Sequence, residues 1–115
     1  MFAPGNFEFI NRTSITIKPK QPFCDWLHSV EPEHNFGDVL TDCDTYLLPD
    51  YEESKQVENW LKRNFDKLFM EQLNNWYLDE TVWPKNRTFK MFKEWFDYTL
   101  CTMVWDTETK PLEKE

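Results

Sequence analysis

Cys24 and His28 stand four residues apart, the interval at which two side chains on one helix meet, so thiol and imidazole can form the pair that a nucleophilic cysteine needs. Asp25 is adjacent. A reactive thiolate also wants a polar, partly open setting, whereas Cys24 lies between Phe23 and Trp26 on a face that reads as buried, which favours a small core thiol. His34 and Cys43 bring the set to two cysteines and two histidines, but the spacing C-x3-H-x5-H-x8-C matches no usual zinc knuckle or finger. Asp38, Asp42 and Asp44 have the oxygens for a hard cation, in a loop without the ordered donors and glycine of a dedicated calcium site. The expectation is no metal and no cofactor, with Cys24 and His28 as the catalytic candidates of any enzyme reading.

A second stretch has different chemistry. Trp83-Pro84-Lys85-Asn86-Arg87-Thr88-Phe89-Lys90, followed by Lys93, interleaves four bases with aromatic rings. Single-stranded RNA is held that way, phosphates on cations and bases on rings. The same composition, a tryptophan rimmed by arginine and lysine, also suits a protein interface. Trp83, Lys85, Arg87, Lys90 and Lys93 are therefore the candidate binding residues, for a second copy of the chain or an acidic protein partner. The more ordinary reading is a helix start with its bases in solvent and Phe89 in the core.

These residues must be positioned by regular elements, and the longest is legible from Glu52 to Tyr77. Val57, Trp60, Leu61, Phe65, Leu68, Phe69, Leu73, Trp76 and Tyr77 follow helical steps of three and four. Pro49, Asp50 and Glu53 mark the start as a capping box. The apolar stripe drifts by roughly a quarter turn along the segment, which predicts a bend or break between Asn64 and Leu68. Trp60, Leu61, Phe65, Leu68 and Phe69 are expected in the core. Thr13 to Lys18 alternates like a half-buried strand ended by Pro19. Pro22 opens a short helix with Phe23, Trp26, Leu27 and Val30 on one face, and Thr45 to Leu48 reads as a second strand. Thr88 caps a helix carrying Phe89, Phe92, Trp95 and Phe96. Tyr98 to Trp105 is apolar in both alternating sets, the pattern of a central strand. The expected fold is α+β: a small, mostly antiparallel three-stranded sheet packed by one long, bent or split helix and two shorter ones.

Composition narrows the function classes. The chain has 115 residues, enough for one domain without staples; residues 1–6 and 107–115 are expected as loose tails. Of the formal charge of −8, the whole excess lies between Glu31 and Glu58, which hold nine acids and one base, while the remainder is balanced. Such a chain lacks the basic footprint that DNA or an anionic membrane requires. Three cysteines without CxxC spacing, and no basic-then-apolar leader, favour a reducing, cytoplasmic setting. No Gly-rich phosphate loop, G-x-S-x-G or HExxH occurs.

Lys18-Pro19-Lys20-Gln21-Pro22-Phe23, Asp25-Trp26, Tyr46-Leu47-Leu48-Pro49, Arg87-Thr88-Phe89-Lys90-Met91-Phe92 and Glu94-Trp95-Phe96 resemble segments of small uncharacterised bacterial proteins, over most of the chain. The resemblance implies a bacterial source and transfers no activity. The reading that results is a non-enzymatic intracellular interaction module, self-associating or binding a protein partner through Trp83 to Lys93. The competing readings are a small enzyme or metal protein using Cys24 and His28, and an RNA binder using the basic-aromatic stretch.

Overall fold

The computed structural model describes residues 5–115. Along the chain run β1 (Glu8–Phe9), β2 (Thr13–Pro19), α1 (Gln21–Val30), β3 (Asp44–Leu48), α2 (Ser54–Asn74), α3 (Phe89–Trp95), β4 (Phe96–Cys101) and β5 (Trp105–Asp106). Single 3-10 turns at Val39–Thr41 and Glu80–Val82 punctuate the connections. The fold is α+β, with a three-stranded antiparallel sheet in the order β3-β2-β4 and a separate antiparallel ribbon of β1 and β5.

The alternation in β2 fixes which side of the sheet is covered. Ile15 and Ile17 are fully buried, and their register partners Tyr46, Tyr98 and Leu100 share that face with Leu48 and Phe96. The opposite face carries Ser14, Thr16, Lys18, Thr45, Leu47, Asp97, Thr99 and Cys101, and apart from Ser14 and the half-buried Thr16 it is exposed. Asp44 is the exception on the covered side. It pairs with Ile17, so an acid sits at the exposed edge of the helix-packed face, where its Oδ2 accepts from Gln72 Nε2 at 2.8 Å.

Helix α2 starts at a capping box, three residues later than its sequence signature suggests: Glu53 is the N-cap, and its backbone N–H donates to Gln56 Oε1 at 3.0 Å. It then runs unbroken to Asn74, so the expected interruption between Asn64 and Leu68 does not occur. The drift of the stripe is absorbed as a widening of the buried arc. At 100° per residue Val57, Leu61, Leu68 and Gln72 fall within roughly 60°, and Phe69 and Leu73 extend that arc to about 160°. The wide end is where α2 meets both α3 and the sheet. Phe69 touches the rings of Phe92, Trp95 and Phe96 at centroid separations of 6.1, 5.5 and 5.2 Å, and Phe23 of α1 reaches Phe96 at 5.3 Å. Leu61, Leu68 and Phe69 are buried as expected; Trp60 and Phe65 are only half-buried, on the rim.

The central strand is β2, not the segment from Tyr98 to Trp105. Only Phe96–Cys101 belongs to the sheet, at an edge, and its second face carries Asp97, Thr99 and Cys101. The apolar residues that made both faces look buried, Met103, Val104 and Trp105, have left the sheet; Trp105 pairs with Phe9 in the ribbon, and the Val104 carbonyl accepts from the Ile10 N–H at 3.0 Å. Of the two tails, residues 1–4 lie outside the described residues, and residues 107–115 form no helix or strand.

Candidate functional site

Cys24 and His28 do meet, with Sγ and Nδ1 3.8 Å apart along α1. What a catalytic pair further needs is a third group to orient the imidazole. Among the described residues none, Asp25 included, hydrogen-bonds the other ring nitrogen of His28; Asp25 Oδ1 accepts from Gln21 Nε2 at 2.9 Å, and the His28 ring lies edge-on to Phe36 at 5.3 Å. His34 is turned to Glu31 and Phe36. Among the described residues no three of the His, Cys, Asp and Glu side chains converge as a metal site would require.

The basic-aromatic stretch is built differently from its sequence expectation. Trp83 is buried, 8% exposed, and its Nε1 donates to the Tyr77 carbonyl at 2.8 Å. The turn at Glu80–Val82, capped by Asp79, folds the chain back and brings the indole inside, which removes Trp83 as an exposed interface residue. Arg87 is an internal clamp. Asn86 takes a left-handed conformation, φ 56°, that asparagine tolerates. The following arginine then donates from Nε and Nη2 to Asp66 of α2 at 2.7 and 3.3 Å, and from Nη1 to the Pro84 carbonyl at 2.9 Å. Its guanidinium lies 5.9 Å from the ring centroids of both Phe69 and Trp83. Lys85, Lys90 and Lys93 remain exposed, Lys90 facing Glu94 at 4.0 Å and Lys93 over the Phe89 ring at 4.9 Å. A base-stacking platform needs a free ring face, and these contacts occupy the two rings offered for it.

Two surfaces escaped the sequence reading. The first is a pocket of about 380 Å³ where β3 meets the C-terminal end of α2, bordered by Val39, Asp42, Asp44, Gln72, Asn75 and Trp76. Gln72 is 4% exposed, and its Nε2 donates to Asp44 Oδ2 and to the Tyr46 hydroxyl, both at 2.8 Å. Burial raises the Tyr46 pKa; the bond from Gln72 opposes the rise, and the charges of Asp44 and Glu71 add to it. The available signal was a polar residue placed four after Leu68 on the apolar arc of a helix, since a buried amide requires a partner.

The second is the ribbon. Phe9 pairs with Trp105 in register, and their rings lie 3.6 Å apart by centroid, yet they remain 56% and 49% exposed. Phe9, Leu47 and Leu112 line a common groove of about 560 Å³. Phe7 and Met103, one strand step from Phe9 and Trp105, are also exposed. The alternation Phe7-x-Phe9 was its only trace in the sequence. Among the described residues no helix is long and apolar enough to cross a membrane. No family model, curated protein or solved structure matches this chain.

Proposed function

We propose that the chain is a non-enzymatic interaction module that joins a second copy of itself through the ribbon surface. The observation that carries this reading is the paired, half-exposed Phe9 and Trp105 continuous with Leu47 and Leu112. A two-stranded ribbon is marginal in water unless something packs on it. Phe7, Phe9, Leu47, Met103, Trp105 and Leu112 are the exposed apolar residues concerned. At on the order of 100 Å² each they offer about 600 Å² per copy, or about 1,200 Å² across two, above the ~1,000 Å² a specific interface needs.

Leu47 belongs to the acidic stretch between Glu31 and Glu58, so like charge opposes the contact and added salt should strengthen it. Three free cysteines fit a reducing, cytoplasmic setting. The test is sedimentation velocity over a range of concentrations, on the native chain and on a Phe9→Ser, Trp105→Ser variant. The native chain dimerises with concentration and the variant stays monomeric with unchanged circular dichroism; a native chain that is monomeric throughout removes the reading.

A further inference from the structure

The Ile10 N–H donates to the Val104 carbonyl at 3.0 Å, and this one bond decides which way the backbone of the ribbon points. In an antiparallel pair, residues that exchange hydrogen bonds alternate with residues whose N–H and C=O point away from the partner strand. Phe9 and Trp105 are opposed and adjoin that bond, so they are of the second kind. The backbone groups of Phe9 face the free edge of β1, and those of Trp105 face the free edge of β5. From Phe9 to Ser14 is five residue steps, against four from Cys101 to Trp105, so β1 continues β2 past a one-residue bulge. β3 does not follow it, because its pairing with β2 ends at Leu48 opposite Thr13. The groove of about 560 Å³ lies along the edge that β3 leaves open: Phe9, Ile10, Asn11 and Arg12 line it, Leu47 of β3 borders it, and neither residue of β5 does.

An unpaired strand edge beside an apolar groove is a template for one more extended strand. We infer that the strand added here is β1 of a second copy, antiparallel and centred on Phe9 opposite Phe9, each Phe9 N–H donating to the other's carbonyl. The inference rests on the ribbon reading and gives that contact its backbone pairing. Three features of the chain select the register. Residues that point outward must oppose residues that point outward, so β1 can slide along its twin only in steps that keep this parity. Sliding one way sets Glu8 directly opposite Glu8, two like charges at the closest approach of the strands. Sliding the other way sets Phe7 opposite Thr13, whose edge Leu48 of β3 already occupies. Centred on Phe9, Glu8 faces Ile10, and the left-handed backbone of Asn6, φ 56°, ends the extended run before it reaches β3.

The experiment is amide hydrogen exchange of the native full-length chain, read by NMR at concentrations below and above the dimerisation midpoint that sedimentation gives. The Phe9 N–H slows by about ten-fold or more on dimerisation, while the Trp105 N–H, outward on the opposite edge, keeps its monomer rate. A dimer in which the two amides respond alike overturns the edge pairing and leaves a contact through the rings standing; a chain that is monomeric throughout removes both. The register is read from disulfides formed with oxidised glutathione in an equimolar mixture of Glu8→Cys and Ile10→Cys chains, mapped by mass spectrometry. Opposed residues that exchange no hydrogen bonds have Cα atoms about 4.5 Å apart, within disulfide reach. The two introduced thiols join across the variants, and a predominance of disulfides between two Glu8→Cys chains overturns the register. Should Ile10→Cys fail to fold, the comparison of Phe9 with Trp105 on the native chain still decides the pairing.

Discussion

Replacing Arg87 by alanine releases the stretch from Trp83 to Thr88 from α2, and the cost can be worked from its contacts. Arg87 is 17% and Asp66 43% exposed at the side chain, so the pair lies between an exposed one, worth ~0.2–1 kcal/mol, and a buried one broken on one side, ~3–5 kcal/mol. Asp66 can be rehydrated once its partner is gone, which holds the loss to the lower half of that interval. The Pro84 carbonyl loses its donor, about 1 kcal/mol, while the ring contacts at 5.9 Å lie near the outer limit of cation–π attraction and add little. The expected destabilisation is ~2–3 kcal/mol for Arg87→Ala, and ~1–2 kcal/mol for Arg87→Lys, which keeps the charge but loses the fork. Urea unfolding followed by circular dichroism measures both, and a double-mutant cycle with Asp66→Asn isolates the pair. A loss below ~0.5 kcal/mol for Arg87→Ala would refute the clamp. Charge reversal at Arg87 consequently reports on folding, and the exposed Lys85 and Lys90 are the cleaner positions for probing that surface.

Leu61→Ala, at a fully buried position of α2, should cost ~2–5 kcal/mol through lost burial and a residual cavity; a loss below ~1 kcal/mol in the same urea assay would contradict the core assignment. Among the described residues the Tyr77 hydroxyl is sealed from solvent with no partner at hydrogen-bond distance, and burial, followed by the nearby Glu31 carboxylate acting through a longer hydrogen bond and its charge, pushes its pKa up to about 12. Because the folded value is the higher, this group's contribution to stability is complete below its ordinary value of 10.0 and is lost as pH rises towards 12. Phenolate absorbance should show a late-titrating tyrosine that disappears in Tyr77→Phe, a variant expected within ~0.5 kcal/mol of the native chain or above it. A stability loss beyond ~1 kcal/mol would mean that the hydroxyl has a partner in solution.

The helices were legible because their signals are local. Pro22, the step from Phe23 to Trp26 and Leu27, and Thr88, whose hydroxyl accepts from the Met91 N–H at 3.1 Å, each act within a turn or two of chain. The three strands of the sheet were found for the same reason, but their order was not, and the ribbon strands were missed. Nothing within Thr13 to Pro19 says that it has a neighbour on both sides, and Met103 to Trp105 looks like strand interior until Phe9, over ninety residues earlier, is known to pair with it. The misreading of Trp83 has the same origin. Its fate depends on where the Tyr77 carbonyl lies after the chain turns at Glu80. Arg87 likewise needed Asp66, on another element, to become a clamp. The Cys24 and His28 contact was readable as a pair, since it spans one helical turn, but that no third group among the described residues orients the imidazole is a tertiary fact.

The contact between copies can be observed directly by isotope-filtered NMR on an equimolar mixture of labelled and unlabelled chains. The account predicts intermolecular cross-peaks from the Trp105 ring of one copy to the Phe9, Leu47 and Leu112 side chains of the other, intensifying with concentration. Intermolecular cross-peaks confined to other surfaces, such as the Lys85 to Lys93 stretch, or none at concentrations where sedimentation finds a dimer, would contradict it.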